Sequence, residues 1–154
     1  MCGIAGFVDL WPPGALARAL AAMALRGPDG TFMRQLPGWH LGAVRLAVTD
    51  LEHGTQPFTA AAASYICFAA GEIYNAPELR VELTRRGARF QTQCDLEVLP
   101  HAWSAWGPTS LVRLEGMFAV ALWDQREQCL YLFRDATGQK PLYWTQQGAG
   151  FAFA

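Results

Sequence analysis

Ser64-Tyr65-Ile66-Cys67-Phe68-Ala69-Ala70, then Gly71-Glu72-Ile73-Tyr74-Asn75, then Ala76-Pro77, is the stretch on which the fold turns. Residues 64–70 carry no charge and read as a strand, Glu72 to Asn75 as a turn. Pro77 at the start of the next segment opens a helix that Gly87 closes behind Arg85-Arg86. Working back toward the start, residues 39–48 alternate as a strand, and Ala60-Ala61-Ala62-Ala63 reads as the loop entering 64–70. Residues 14–25 place Leu16, Leu20, Met23 and Ala24 at helical spacing and stop at Arg26-Gly27-Pro28. Residues 3–9 form a short buried strand. Working forward, Asp95 suits the N-cap of a third helix. Pro100 sits one turn inside that helix, at a cost of roughly 3 kcal/mol unless the helix kinks. Residues 117–123, 129–134, 141–145 and 150–154 are short strands. Strands, then helices, then strands again predict an α+β layered fold.

At 154 residues the chain supports one domain, which buries about 70% of its unfolded surface without a metal or disulfide staple. Hydrophobic residues make up 52% and charged residues 16%, against about 25% charged in an average soluble domain. Such a body has a face suited to being covered. The net charge of −1 gives no electrostatic footprint for nucleic acid or anionic lipid, so neither is an expected partner. No Lys or Arg precedes the apolar start, and no apolar run reaches the ~18 residues that cross a bilayer. Cys2, Cys67, Cys94 and Cys129 form no metal-binding spacing and are expected as thiols in a reduced, cytoplasmic protein. The end in an apolar strand, Phe151-Ala152-Phe153-Ala154, reads as a chain cut from a longer one.

Cys2 carries the most distinctive chemistry. With Met1 removed, it presents a thiol and an α-amine on one residue. The amine, with a reference pKa of about 7.7–8.0, can act as a base near neutral pH. The thiol is the best nucleophile among ordinary side chains. Met1-Cys2-Gly3-Ile4-Ala5-Gly6 is followed in order by Arg26-Gly27-Pro28-Asp29, Arg45-Leu46-Ala47-Val48-Thr49-Asp50, Gly71-Glu72-Ile73-Tyr74-Asn75, Asp95-Leu96-Glu97-Val98, Gly116-Met117-Phe118-Ala119 and Arg134-Asp135 through Lys140-Pro141-Leu142-Tyr143. This ordered set resembles the N-terminal glutaminase domain of glutamine-hydrolysing asparagine synthetases, the class II glutamine amidotransferases, over essentially the whole of residues 1–154.

The resemblance implies a four-layer αββα sandwich of the N-terminal-nucleophile hydrolase type, acting on L-glutamine. Matched residue by residue, Cys2 is the nucleophile and Arg45 pairs with the α-carboxylate of the substrate, for which a guanidinium fork is suited. The backbone from Leu46 through Ala47 and Val48 to Thr49 lines the same pocket. Glu72 and Asp95 hold the α-ammonium, and the Gly71 N–H faces the oxyanion. Ala70 stands where the family motif has an asparagine that supplies a second oxyanion donor. No metal or other cofactor is implied for this domain; ATP and Mg belong to a C-terminal synthetase domain, the implied partner, and a homodimer is a further expectation. The acceptor of the ammonia is then aspartate. The alternatives are a glutaminase serving another carboxylate acceptor, or a silent scaffold as in the β-lactam synthetases. Asp95 can also act as a plain helix cap, and Arg134-Asp135 through Pro141 reads as a buried ion pair and turn. Arg26 to Asp29 reads as a rigid turn that positions the Cys2 loop. His40, His53 and His101 match no triad spacing.

Overall fold

The computed structural model describes residues 2–8 and 11–154. Among the described residues, nine strands and three α-helices follow in the order β1 (Gly3–Val8), α1 (Ala15–Ala22), β2 (Gly30–Leu36), β3 (Trp39–Arg45), β4 (Phe58–Ala60), β5 (Tyr65–Ile73), α2 (Ala76–Arg85), α3 (Val98–Trp106), β6 (Gly116–Asp124), β7 (Cys129–Arg134), β8 (Trp144–Gln147) and β9 (Gly150–Phe153). They build two antiparallel sheets, one ordered β2-β3-β1-β9-β8 and the other β4-β5-β6-β7.

Alternation along the strands creates the layers. On β5, Ile66, Phe68 and Ala70 face the other sheet, while Cys67, Ala69 and Ile73 face helices. On β6, Ala119, Ala121 and Trp123 face inward between the sheets, and Phe118, Val120 and Leu122 meet α2 and α3. Ala5 and Val44 on the outer face of the first sheet pack against Leu16 and Leu20 of α1. The result is the four-layer α-β-β-α sandwich. Both faces of β5 and β6 are covered, which is why their sequences read as unbroken apolar runs rather than as alternation.

Several boundaries differ from the sequence reading. The first helix ends at Ala22, not residue 25, and residues 23–26 form turns. The third strand region ends at Arg45, and the expected 141–145 strand lies at Trp144–Gln147. Of the expected 3–9 strand, residue 9 lies outside the described residues. The closure of α2 matches its sequence signal. The Gly87 N–H donates to Thr84 O (2.9 Å) and the Ala88 N–H to Leu83 O (3.0 Å), a Schellman closure with glycine at the left-handed position.

Asp95 is not a helix cap. It is the first residue of a short 3-10 helix, Asp95–Glu97, whose cap residue is Cys94, and its side chain turns away toward the site. That 3-10 turn also explains Pro100. The α-helix proper begins at Val98, so Pro100 falls in the first α-turn, where N–H groups lack α-helical partners. No kink is required.

Candidate active site

β1 lies at the centre of its sheet, between β3 and β9, and the pairing of Gly3 with Val44 carries Cys2 alongside the end of β3. There the Leu46 N–H donates to Cys2 Sγ at 3.3 Å, and the thiol in turn lies 3.6 Å from Leu46 O. The two contacts fix the sulfur at the rim of a cavity between the sheet ends. Arg26 to Asp29 supply the support. The Asp29 N–H donates to Arg45 O (3.0 Å), and its Oδ2 accepts from the Ala47 N–H (2.8 Å). The loop that faces Cys2 is therefore tied down from behind.

Arg45 ends β3 and is only 7% exposed. Its guanidinium donates to the carbonyls of Thr49 (3.0 Å), Asp50 and Leu51 (3.3 Å), so the 46–51 loop curls around it. A guanidinium has five N–H donors; these three bonds hold the group at the cavity wall and leave it capacity for a carboxylate. Asp50 anchors the same loop to the segment before the 3-10 helix. Its Oδ2 accepts from the Gln93 N–H (2.7 Å), which holds its carboxyl below the ordinary range against the opposing effect of burial.

The second sheet contributes Gly71 and Glu72 at the end of β5, and the 3-10 turn contributes Asp95. Asp95 Oδ1 accepts from the Thr49 hydroxyl (2.9 Å) and Oδ2 from the Ile73 N–H (2.7 Å). One carboxylate thus joins a loop of the first sheet to a strand of the second. Gly71 has φ 144°, and a Cβ there would collide with the Met117 carbonyl oxygen and lie 2.7 Å from Phe118 Cα. Only glycine fits.

The structure gathers Cys2, Arg45, Leu46, Val48, Thr49, Gly71, Glu72 and Asp95 around one cavity. Two of the expected residues fall elsewhere. Ala47 turns its N–H to Asp29 and does not line this space. Ala70, 7% exposed, points between the sheets and lines a neighbouring apolar cavity with Cys2 and Ala119; strand alternation sends adjacent residues to opposite faces. Sequence reasoning missed Gln56, Cys94 and Lys140, which also line the cavity. A polar residue before a proline and a lysine inside a turn carry no signal by themselves. Burial pushes the Cys94 thiol up, which favours its protonated, less nucleophilic form.

Beneath the site, the Asp135 carboxylate, 5% exposed, accepts from the Phe118, Gln139 and Lys140 N–H groups at 3.2, 2.9 and 3.1 Å and from the Thr137 hydroxyl at 2.9 Å. Burial opposes its ionisation, but these donors outweigh burial and hold its pKa far below the carboxylate range. The expected turn is present, with Asp135 and Lys140 buried in it; Arg134 is exposed, and the donors to the Asp135 carboxylate are those of its own turn and of β6. Among the described residues, no group of three or more His, Cys, Asp or Glu side chains gathers to hold a metal ion, and no helix is long and apolar enough to cross a membrane.

A cysteine at the head of the central strand, at the edge of a two-sheet sandwich between helices, defines the N-terminal-nucleophile amidotransferase fold. The structure of the glutamine phosphoribosylpyrophosphate amidotransferase of B. subtilis, complexed with ADP and GMP, superposes with a TM-score of 0.80 over 99% of this chain and 41% of that one, at 20% identity. The sequence profile of the glutamine amidotransferase domain matches residues 1–154, and the chain belongs to that family. It is 37% identical over 160 residues to asparagine synthetase [glutamine-hydrolyzing] 3 of Bacillus subtilis, covering 99% of this chain and 26% of that protein. It is also 36% identical over 154 residues to asparagine synthetase [glutamine-hydrolyzing] 1 of the same organism, covering 94% and 24%. The chain thus spans about a quarter of the length of these relatives.

Proposed function

We propose that this domain hydrolyses L-glutamine to glutamate and ammonia through Cys2, and that the ammonia serves an asparagine-synthetase-type ligase domain. The observation that carries the reading is the placement of Cys2 Sγ on the Leu46 N–H, at a cavity that also holds Arg45, Gly71 and Asp95. With Met1 removed, the Cys2 α-amine takes the thiol proton and the sulfur attacks the side-chain carbonyl carbon of glutamine. The carbonyl oxygen becomes an oxyanion facing the Gly71 N–H. Collapse breaks the C–N bond, and the amine returns its proton to the departing ammonia. A γ-glutamyl thioester remains; water attacks it, releases glutamate and restores the thiol. Arg45 receives the substrate α-carboxylate, and Asp95 with Glu72 receives the α-ammonium. Aspartate is the proposed acceptor of the ammonia, with ATP and Mg used by the ligase domain.

A silent scaffold is the second reading, and Ala70 favours it: where the family motif has asparagine, a methyl that offers no donor lines the cavity Ala70 shares with Cys2. Loss of one oxyanion donor lowers rates by about 10²–10³. Glutamate release from glutamine, measured on protein shown by intact mass to lack Met1 and beside Cys2→Ala, separates the two. Release that depends on Cys2 is the expected result. A folded, Met1-less protein with no release would refute the glutaminase reading.

A further inference from the structure

β4 begins at Phe58, which pairs with Cys67 of β5. Carried two residues back along the chain, that register would set the backbone of residue 56 opposite Ala69. The strand does not continue, and the side chain of Gln56 takes the place of its backbone. Its Nε2 donates to Ala69 O at 2.8 Å, and its Oε1 accepts from the Ala69 N–H at 2.8 Å. A primary amide presents the same donor and acceptor pair as a peptide group, so the β5 edge is paired at Ala69 without a neighbouring strand. Gln56 is 6% exposed, which makes the two bonds costly to lose.

In a strand, alternate residues direct their N–H and C=O groups to the same edge. Ala69, Gly71 and Ile73 therefore share one edge of β5, while Phe118, opposite Gly71, gives its N–H and C=O to Asp135 on the far side of β6. Ala69 is held by Gln56, and the Ile73 N–H by Asp95 Oδ2 at 2.7 Å. Gly71 lies between these two anchors, and Gln56, Phe58 and Gly71 line the cavity that Cys2 also lines.

We propose that Gln56 is a positioning residue for the reaction: its side chain stands in for the missing strand, holds the edge of β5, and so aims the Gly71 N–H into the cavity at the developing oxyanion. This rests on the glutaminase reading above. The bond at Gly71 strengthens as charge develops on the substrate oxygen, so an error in its aim appears in kcat more than in KM.

The test compares wild-type, Gln56→Leu and Gln56→Glu in the full chain with Met1 removed, each normalised to titratable Cys2. Gln56→Leu is expected to lower kcat by about 10-fold or more with KM for glutamine changed by less than about threefold. The glutamine analogue with an aldehyde in place of the amide adds the Cys2 thiol across its carbonyl, giving a tetrahedral adduct. Its affinity should fall by the same factor as kcat/KM, whereas alkylation of Cys2 by iodoacetamide, which needs no oxyanion donor, should keep its rate. Gln56→Glu keeps the acceptor for the Ala69 N–H but faces Ala69 O with a second oxygen, and should fall between the two. Unchanged kcat per titrated cysteine, or unchanged aldehyde affinity beside a lowered melting temperature, would reduce Gln56 to a structural residue and overturn the proposal alone. Absence of Cys2-dependent hydrolysis in the wild type would overturn the glutaminase reading and this inference with it.

Discussion

Replacing Gly71 by alanine tests the geometry of the site most severely, and Gly87 provides the control. Both glycines have positive φ, 144° and 93°. At Gly87 an added Cβ meets nothing within 4 Å, so Gly87→Ala isolates the cost of the backbone conformation, about 1 kcal/mol. For a chain of this size that is a fall of about 2–4 °C in Tm. At Gly71 the same methyl group overlaps the Met117 carbonyl oxygen and comes within 2.7 Å of Phe118 Cα and 2.9 Å of Met117 C. These are backbone atoms of β6, which is paired with β5 throughout this segment and has Asp135 bonded to Phe118 on its other side. No rotamer change relieves the overlap. Gly71→Ala should therefore cost at least about 4 kcal/mol, or about 8–16 °C. The strand end that presents the Gly71 N–H must also move, lowering kcat for glutamine hydrolysis by about 10²-fold or more. Thermal melts by circular dichroism and glutamate release would be measured on both variants. A Gly71→Ala protein that melts with Gly87→Ala, or that keeps more than about a tenth of wild-type kcat, would refute the reasoning.

Asp135 has a folded-state pKa below its unfolded value, so its contribution to stability is present above about pH 4 and is lost as pH falls further. Denaturant titrations from pH 6 to pH 2 should show Asp135→Asn less stable at neutral pH and with a flatter acid limb; parallel limbs would contradict the assignment. The hairpin turn joining β4 to β5 places Ala61, Ala62 and Ala63 at φ 50°, 53° and 65°, where an L side chain is disfavoured. Ala62→Gly should raise stability by about 0.5–1 kcal/mol, because relief of that cost exceeds the added chain entropy of glycine; a lower Tm would show the turn to be differently built. Asp29→Ala removes the carboxylate that holds the Ala47 N–H and should lower kcat/KM by about 10–100-fold, the range for a lost hydrogen bond to a charged group. Steady-state kinetics checks this, and unchanged kcat/KM would remove Asp29 from the support of the Leu46 loop.

The strands buried on both faces were legible because their apolar runs are continuous: β1, β5 and β6 fall close to where the sequence places them. β7, a half-buried edge strand, does so too because its four residues Leu130 to Phe133 are all apolar or aromatic. β2 was not legible, since only Leu36 of its seven residues is buried and Arg34 and Gln35 lie on the surface. It is an edge strand whose pattern is set by solvent and by β3 alone. β4 has three residues, too few to show a period. Asp95 looked like a cap because aspartate before an apolar run fits that role, yet its carboxylate reaches across sequence to Thr49 and Ile73. Local pattern cannot show a partner some 46 residues away. The same limit hid Gln56, whose bonds to Ala69 depend on where β4 begins. The residues placed at the cavity by family resemblance, from Cys2 and Arg45 to Gly71 and Asp95, share a wall of it, whereas Ala47 and Ala70 do not. A run of neighbouring residues is split by the direction of each backbone and side chain.

Asp95 holds Thr49 and Ile73 through both of its oxygens, while Arg45 gathers the carbonyls of its own loop. The groups assigned to the two charged ends of an amino acid are thus already oriented by the protein itself. Such preorganisation spares a ligand the entropic cost of ordering its receptor. It also makes the cavity a stiff gauge of length: with the two ends fixed in place, the distance from them to Cys2 Sγ is set by the sheets. A side chain one methylene shorter than glutamine's would be held by the same two ends with its carbonyl short of the sulfur. Discrimination against it would then lie in the chemical step rather than in binding.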